Sequence, residues 1–401
     1  MIRGILRVFL VTVVSVVLVG GTFLGGYAVS LLIFPPTPPP DGGAPADWKP
    51  FFPVFWEAWN DVHQDFYKAP IDDSELTYGS IGGMVDALNE PHTQFTEAKL
   101  AAISSADLQG SFEGIGATVE MVEGRLTIVS AYKDSPADKG GLLPGDIVLK
   151  VNDTIIQNMD VNQAVSLIRG PKGSTVTLQI QRVKQATPLI IALVRDTIRT
   201  PFVESRMIEG STIAYLRLNE FGATAPDEMN AAIQQLMAQH PTGLIFDLRH
   251  DGGGFLTVGI DVASQFLKGD QVVMIEKTKD GVAQQLKSKS GGLATDIPMV
   301  LLVDSGSASA SEIVSAAIKD YKRATIIGTK TYGKGSVQFV NTLRDGSELR
   351  VTTAHFFSPK DNAIDGIGIT PDIQVEITSD DLANKNDPQL NRAVQFLTTG
   401  K

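Results

Sequence analysis

The sequence predicts an α/β protein: a core with a mostly parallel sheet, a smaller inserted α+β module, and a helical N-terminal region. Three observations carry this. From about Phe202 to Val375, apolar strand-like runs alternate with helical runs, the order that builds a parallel sheet with right-handed crossovers and helices on its faces. From about Leu108 to Asp196 the pattern changes to short strands and glycine-containing turns. Ahead of both, Phe52, Phe55, Trp56 and Trp59 recur at i, i+3, i+4 and i+7, the spacing of one helix face.

Composition sets the outer limits. With 401 residues, 43% of them hydrophobic, the chain can fill two or three domain cores. A net charge of −11, with no basic cluster, argues against a nucleic-acid partner. The absence of cysteine excludes disulfides, thiolate nucleophiles and cysteine zinc sites. The five histidines form no H-E-x-x-H, which removes the metalloprotease reading. No metal or cofactor is implied.

Taken in chain order, residues 1–34 come first. Arg3 and Arg7 precede an apolar run from Val8 to Phe34, longer than the roughly 20 residues a bilayer span needs. A cleaved signal peptide shares the basic start, but its apolar stretch is usually only about 7–15 residues and no A-x-A site follows. The expectation is an uncleaved signal anchor, with the remainder outside the cytoplasm, in the periplasm or at the cell surface. Residues 35–50 are proline-rich and read as an extended, semi-rigid linker. Residues 51–107 form the helical region, whose aromatic stripe reads as a packing face. Residues 108–196 form the small module, 197–378 the core, and 379–401 a polar, partly helical tail.

Within the core, two strand-to-helix junctions hold the candidate chemistry. The apolar strand Met299 to Val303 runs into Asp304-Ser305-Gly306-Ser307-Ala308-Ser309-Ala310-Ser311-Glu312, which places Ser309 at the start of a helix. Backbone N–H groups there are unpaired and partly positive, so they would stabilise an oxyanion. Ser309 with Glu312 equally fits a capping box, in which the serine only caps. Lys334, in Gly333-Lys334-Gly335, follows another apolar strand. It serves as a base only if burial lowers its pKa by roughly 3 units. Gln338, four residues on, is placed to orient it. Gly328 to Lys334 also opens like a phosphate-binding loop, but Gly335 stands where that loop needs Ser or Thr.

These residues carry a resemblance. Ser-Ala-Ser-Ala-Ser-Glu-Ile, the later Gly-Lys-Gly-Ser-Val-Gln, and Asp247-Leu248-Arg249 leading to Gly252-Gly253-Gly254 are similar to the carboxy-terminal processing (tail-specific) serine proteases. The match covers nearly everything after the linker. It implies a ClpP/crotonase-like core, Ser309 as nucleophile, Lys334 as general base and Gln338 as its support. Ser307 and Ser311 would then be structural. The resemblance further implies an oxyanion hole from Ala310 with Gly253 or Gly254. The sequence departs from the family pattern at His250-Asp251-Gly252, where Asn-Asn-Pro is usual, so the choice of glycine stays open. Glu90-Pro91-His92-Thr93 and the closing stretches Thr352–Pro359 and Gly366–Asp372 match further family segments, with His92 structural.

Residues 108–196 look like a PDZ domain, on Gly114-Ile115-Gly116-Ala117, Ser135-Pro136-Ala137, Leu143-Pro144-Gly145-Asp146 and Ile168-Arg169-Gly170. Such a module takes an unstructured C-terminal tail as an added strand, its carboxylate cradled by backbone N–H groups. The expected groove residues are Gly114, Ile115, Gly116, Val161, Val165 and Ile168. By resemblance, Arg169 contacts the protease core and the PDZ domain gates the active site. A homodimer through the N-terminal region is also implied by some relatives. The expected function is an extracytoplasmic serine endopeptidase that captures protein C-termini and cuts upstream of them. A non-catalytic PDZ scaffold and a serine esterase are the alternatives, although Gly-x-Ser-x-Ala lacks the second glycine of a nucleophile elbow.

Overall fold

The computed structural model describes residues 51–400 except Ala69 and Lys184, and the backbone alone of Leu382. The expected anchor at 1–34 and the linker at 35–50 lie outside these residues. The membrane-anchored localisation is corrected: among the described residues no helix is long and apolar enough to cross a membrane. The longest described helices have 14 residues, about 21 Å at 1.5 Å per residue, short of a hydrocarbon core of about 30 Å.

Two units divide the chain at Leu76 and Thr77. In the first, the predicted aromatic stripe lies on the helix Phe52–Asp65, which buries none of its residues. Its rings pack on one another, Phe55 against Trp56 and Trp59 at centroid distances of 5.1 and 5.9 Å.

The second unit contains the α/β core and the smaller module. The main sheet runs Val203–Met207, Ile213–Leu218, Gly243–Asp247, Met299–Val303, Thr325–Gly328, Ile373–Gln374. Only the first strand is antiparallel; the rest are parallel, as the alternation predicts. Gly243–Asp247 and Met299–Val303 are buried at every position, because helices cover both faces and strand side chains point alternately to each. Phe246, Leu301, Ile313 and Phe266 fill one face. On the other, Ile245, Val300 and Leu302 meet Ala393, Leu390 and Leu397 of the helix Pro388–Thr399. The tail is therefore part of the core.

A second, antiparallel sheet was not expected. Glu348–Phe357 pairs with Ser336–Thr342, with Val272–Thr278 and with Gln94–Thr96. The alternation rule reads crossover units and is blind to hairpins whose partners lie far apart in the chain.

The inserted module is an antiparallel sheet around Ile128, Val148, Val176, Leu178 and Ile180. Its two chain ends pair with each other, Ser111–Gly114 against Asp196–Arg199. The helix Ala98–Leu108 leads into it and is bonded to the core through the Leu108 carbonyl, which accepts the Ala223 N–H at 2.8 Å.

Arg249 fixes the C-terminal helix to the strand end. It is buried and donates to Asp247, Asp387 and Gln389. We predict that Arg249→Ala, which leaves fully buried Asp247 without its cation, costs about 3–5 kcal/mol. Urea unfolding of the variant against wild type measures this, and a change under 1 kcal/mol would refute it.

Candidate active site

The nucleophile candidate sits in a strained turn. Ser309 has φ 55° and ψ −113°, outside the regions favoured by a residue with a Cβ, at a cost of about 1–3 kcal/mol. Its surroundings hold it there. The neighbouring Ala308 N–H donates to the Asp251 carbonyl at 3.0 Å, and Ser311 Oγ donates to the same oxygen at 2.9 Å. Ser307 Oγ donates to the Leu248 carbonyl at 2.8 Å. Ser307 and Ser311 are fully buried and tied to backbone, the structural place expected of them. Ser309 instead lines a cavity of 530 Å³.

Glu312 joins this turn to the lysine loop. Its carboxylate reaches back to the Ser309 N–H at 3.0 Å, the second half of a capping box. It also accepts from Thr331 Oγ1, the Gly333 N–H and the Lys334 N–H at 2.5, 2.6 and 2.8 Å. Four donors satisfy a side chain with no exposed surface, which is what a buried charge requires. The closing segment braces the same loop. Gly335 donates to Asp365 Oδ1, and the Gly366 N–H donates to the Gly333 carbonyl. A Cβ at Gly335 would lie 2.4 Å from the Asp365 nitrogen, so only glycine fits. A strand, Ser336–Thr342, follows where a phosphate-binding loop would continue as a helix.

Lys334 is half-buried and lines the Ser309 cavity. Burial and, next, the Arg350 charge lower its pKa, while Glu90 raises it. No hydrogen bond joins Ser309 Oγ to Lys334 Nζ among the described residues. Gln338 lines the cavity too, but its Nε2 donates to Ser336 Oγ at 2.7 Å and Thr352 Oγ1 at 3.3 Å rather than meeting Lys334. Sequence reasoning named Glu90 and Thr352 only within matching segments, without their place beside the lysine loop, and missed Arg350. Glu90 accepts from Thr93 Oγ1, Thr352 Oγ1 and the His92 N–H, and these bonds overcome its partial burial to hold its pKa down to about 2. No local motif flags the trio, because a strand pairing between distant segments assembles it.

The glycine loop is asymmetric. Gly253 is pressed against Ser309, where a Cβ would lie 2.8 Å from Ser309 Cβ. Its N–H donates inward to Asp251 Oδ1 at 2.8 Å. The Gly254 and Ala310 N–H groups have no acceptor among the described residues.

In the small module, a groove of 180 Å³ is lined by Ile115, Gly116, Val165 and Ile168, with Phe112 and Arg169 besides. It borders Ala117–Val122, an edge strand. Gly114 lies instead in the strand paired with Asp196–Arg199, and Val161 packs against the module's core. Arg169 stacks on Phe112 at 4.1 Å and pairs with Asp107 at 2.8 Å. Its ion pair is thus with the helix Ala98–Leu108. The same helix supplies Ser104, Ser105 and Leu108 to the Ser309 cavity.

Residues 212–375 match peptidase family S41, and residues 127–182 match the PDZ domain. A carboxy-terminal-processing protease of Bartonella bacilliformis is 38% identical over 326 residues, 80% of this chain and 74% of that protein. The chain belongs to the carboxy-terminal processing proteases. Another family member, the carboxy-terminal processing protease CtpA of Bacillus subtilis, is 34% identical over 80% of this chain and 68% of its own length. Among solved structures, a photosystem II D1 C-terminal processing protease superposes with a TM-score of 0.50 at 26% identity, covering 80% of this chain and 92% of that one. Membership makes the chain a serine peptidase with a PDZ domain.

The opposed charges beside Lys334 make a test of its titration. Arg350→Gln should raise the Lys334 pKa and move the acid limb of kcat/KM to higher pH; Glu90→Gln should move it to lower pH. Shifts in the same direction would refute Lys334 as the titrating group.

Proposed function

We propose that this peptidase captures unstructured protein C-termini in its PDZ groove and cleaves peptide bonds upstream of them, with Ser309 as nucleophile and Lys334 as base. The observation that carries this is Glu312: one carboxylate binds the backbone N–H of both Ser309 and Lys334, so the two side chains enter one cavity as a fixed pair. Neutral Lys334 takes the Ser309 proton as Oγ attacks the carbonyl carbon. The Ala310 and Gly254 N–H groups receive the oxyanion. Lys334 then passes the proton to the leaving amine, and water repeats the sequence on the acyl-enzyme. Gln338 has its amide nitrogen engaged, which leaves Oε1 to accept from Lys334.

In the same proposal the PDZ domain gates the site. Ser309 and Lys334 are not yet bonded, and the chain of contacts Arg169–Asp107–helix Ala98–Leu108 ends in the cavity wall. A tail added along Ala117–Val122 would meet this chain at Arg169.

Ser309→Ala and Lys334→Ala should each abolish cleavage of an unstructured polypeptide with an apolar C-terminus while unfolding normally. Substantial residual turnover in either would sink the mechanism. For tail capture, Val165→Glu puts a charge into the apolar groove and should raise KM about tenfold or more for a tailed substrate, a loss of about 1.4 kcal/mol. An unchanged KM would remove the groove from substrate binding.

A further inference from the structure

Asp251 is a buried carboxyl for which the catalytic steps above have no use. It has no exposed surface. Its Oδ1 accepts the Gly253 N–H, its Oδ2 is enclosed without a partner, and its backbone carbonyl takes bonds from Ala308 and Ser311, the residues on either side of the Ser309–Ala310 pair. The loop it commands has no slack, since a Cβ at Gly253 would also lie 2.9 Å from the Ala310 nitrogen. Turning the Gly253 N–H toward the cavity would break the bond to Asp251 and strand a second polar group.

Resting on the serine-peptidase mechanism above, we propose that Asp251 is a positioning residue of the oxyanion loop: its carboxyl fixes the turn at Gly252–Gly254 and thereby assigns Gly254, with Ala310, to the reacting carbonyl. An unpaired buried carboxylate is costly, and burial pushes this group well above the usual carboxylate range. The Gly253 N–H opposes that, Glu220 adds to it, and Ser311 and Arg217 oppose it. The other charges around the loop are committed elsewhere: Asp247 with Arg249, Asp304 with His250, and Glu312 with its four donors. Lys334 faces the same cavity. As the neutral acid, Asp251 holds Gly253 without placing a negative charge beside the oxyanion. Ionised at higher pH, it would oppose that charge and slow the reaction.

The test is the pH dependence of kcat and KM on an unstructured polypeptide, using the full-length chain as wild type, Asp251→Ala and Asp251→Asn. The alanine variant loses the acceptor and should lower kcat about 100-fold, the scale of a small misplacement of reacting groups, with KM little changed. Asparagine keeps an acceptor for the Gly253 N–H and cannot ionise, so it should recover most of that kcat and lack the alkaline limb expected of wild type. Wild-type kcat in Asp251→Ala overturns the proposal, as does an alkaline limb identical in wild type and Asp251→Asn. If Asp251→Ala does not fold, as judged by thermal unfolding, the asparagine comparison alone decides. Cleavage that persists in Ser309→Ala would instead refute the underlying mechanism, so the two failures are distinguishable.

Discussion

The buried carboxylate of Glu312 is the constraint around which this site is organised. A charge with no exposed surface is tolerated only with its acceptor sites filled, and here the donors come from two loops: one N–H from the serine turn, and two N–H groups and a hydroxyl from the lysine loop. Neither loop can shift without uncovering that charge. The strain at Ser309 persists on the same footing, because the bonds that would be lost on relaxation outweigh it. What passed in the sequence for a helix cap is a cap; the capping glutamate also clamps the second loop.

Legibility followed the range of the interactions. Ser309, Lys334 and the parallel strands stand in short segments whose local pattern is readable in the sequence, whereas Gly253 and Gly254 were singled out only by the family resemblance. Glu90, Thr352 and Arg350 meet only because Gln94–Thr96 pairs with Glu348–Phe357, and no window of sequence contains both strands. The orientation of individual groups was equally hidden. Gln338 belongs to the cavity as its position suggested, yet a bulge between Val337 and Gln338 shifts the strand's alternation, and its amide nitrogen turns to Ser336 and Thr352.

The helix Ala98–Leu108 occupies a position that its composition does not advertise. Its sequence is mostly small and apolar with weak amphipathicity, so it reads as an ordinary connector. Placed between the PDZ domain and the core, it gives Asp107 to Arg169 on one side and Ser104, Ser105 and Leu108 to the Ser309 cavity on the other.

The PDZ domain's two ends leave through one hydrogen-bonded strand pair, and just beyond it the Thr200 N–H donates to the Gly110 carbonyl at 3.2 Å. To the rest of the chain, everything between those residues is a hairpin. Once the insert has closed on itself, the helix before it and the strand Val203–Met207 after it behave as sequence neighbours, and the entropy of joining them is that of a short loop instead of a long one. The long separation between Ala98–Leu108 and the core thus vanishes as an obstacle to assembly, and the inserted domain acts as a staple that helps its host fold.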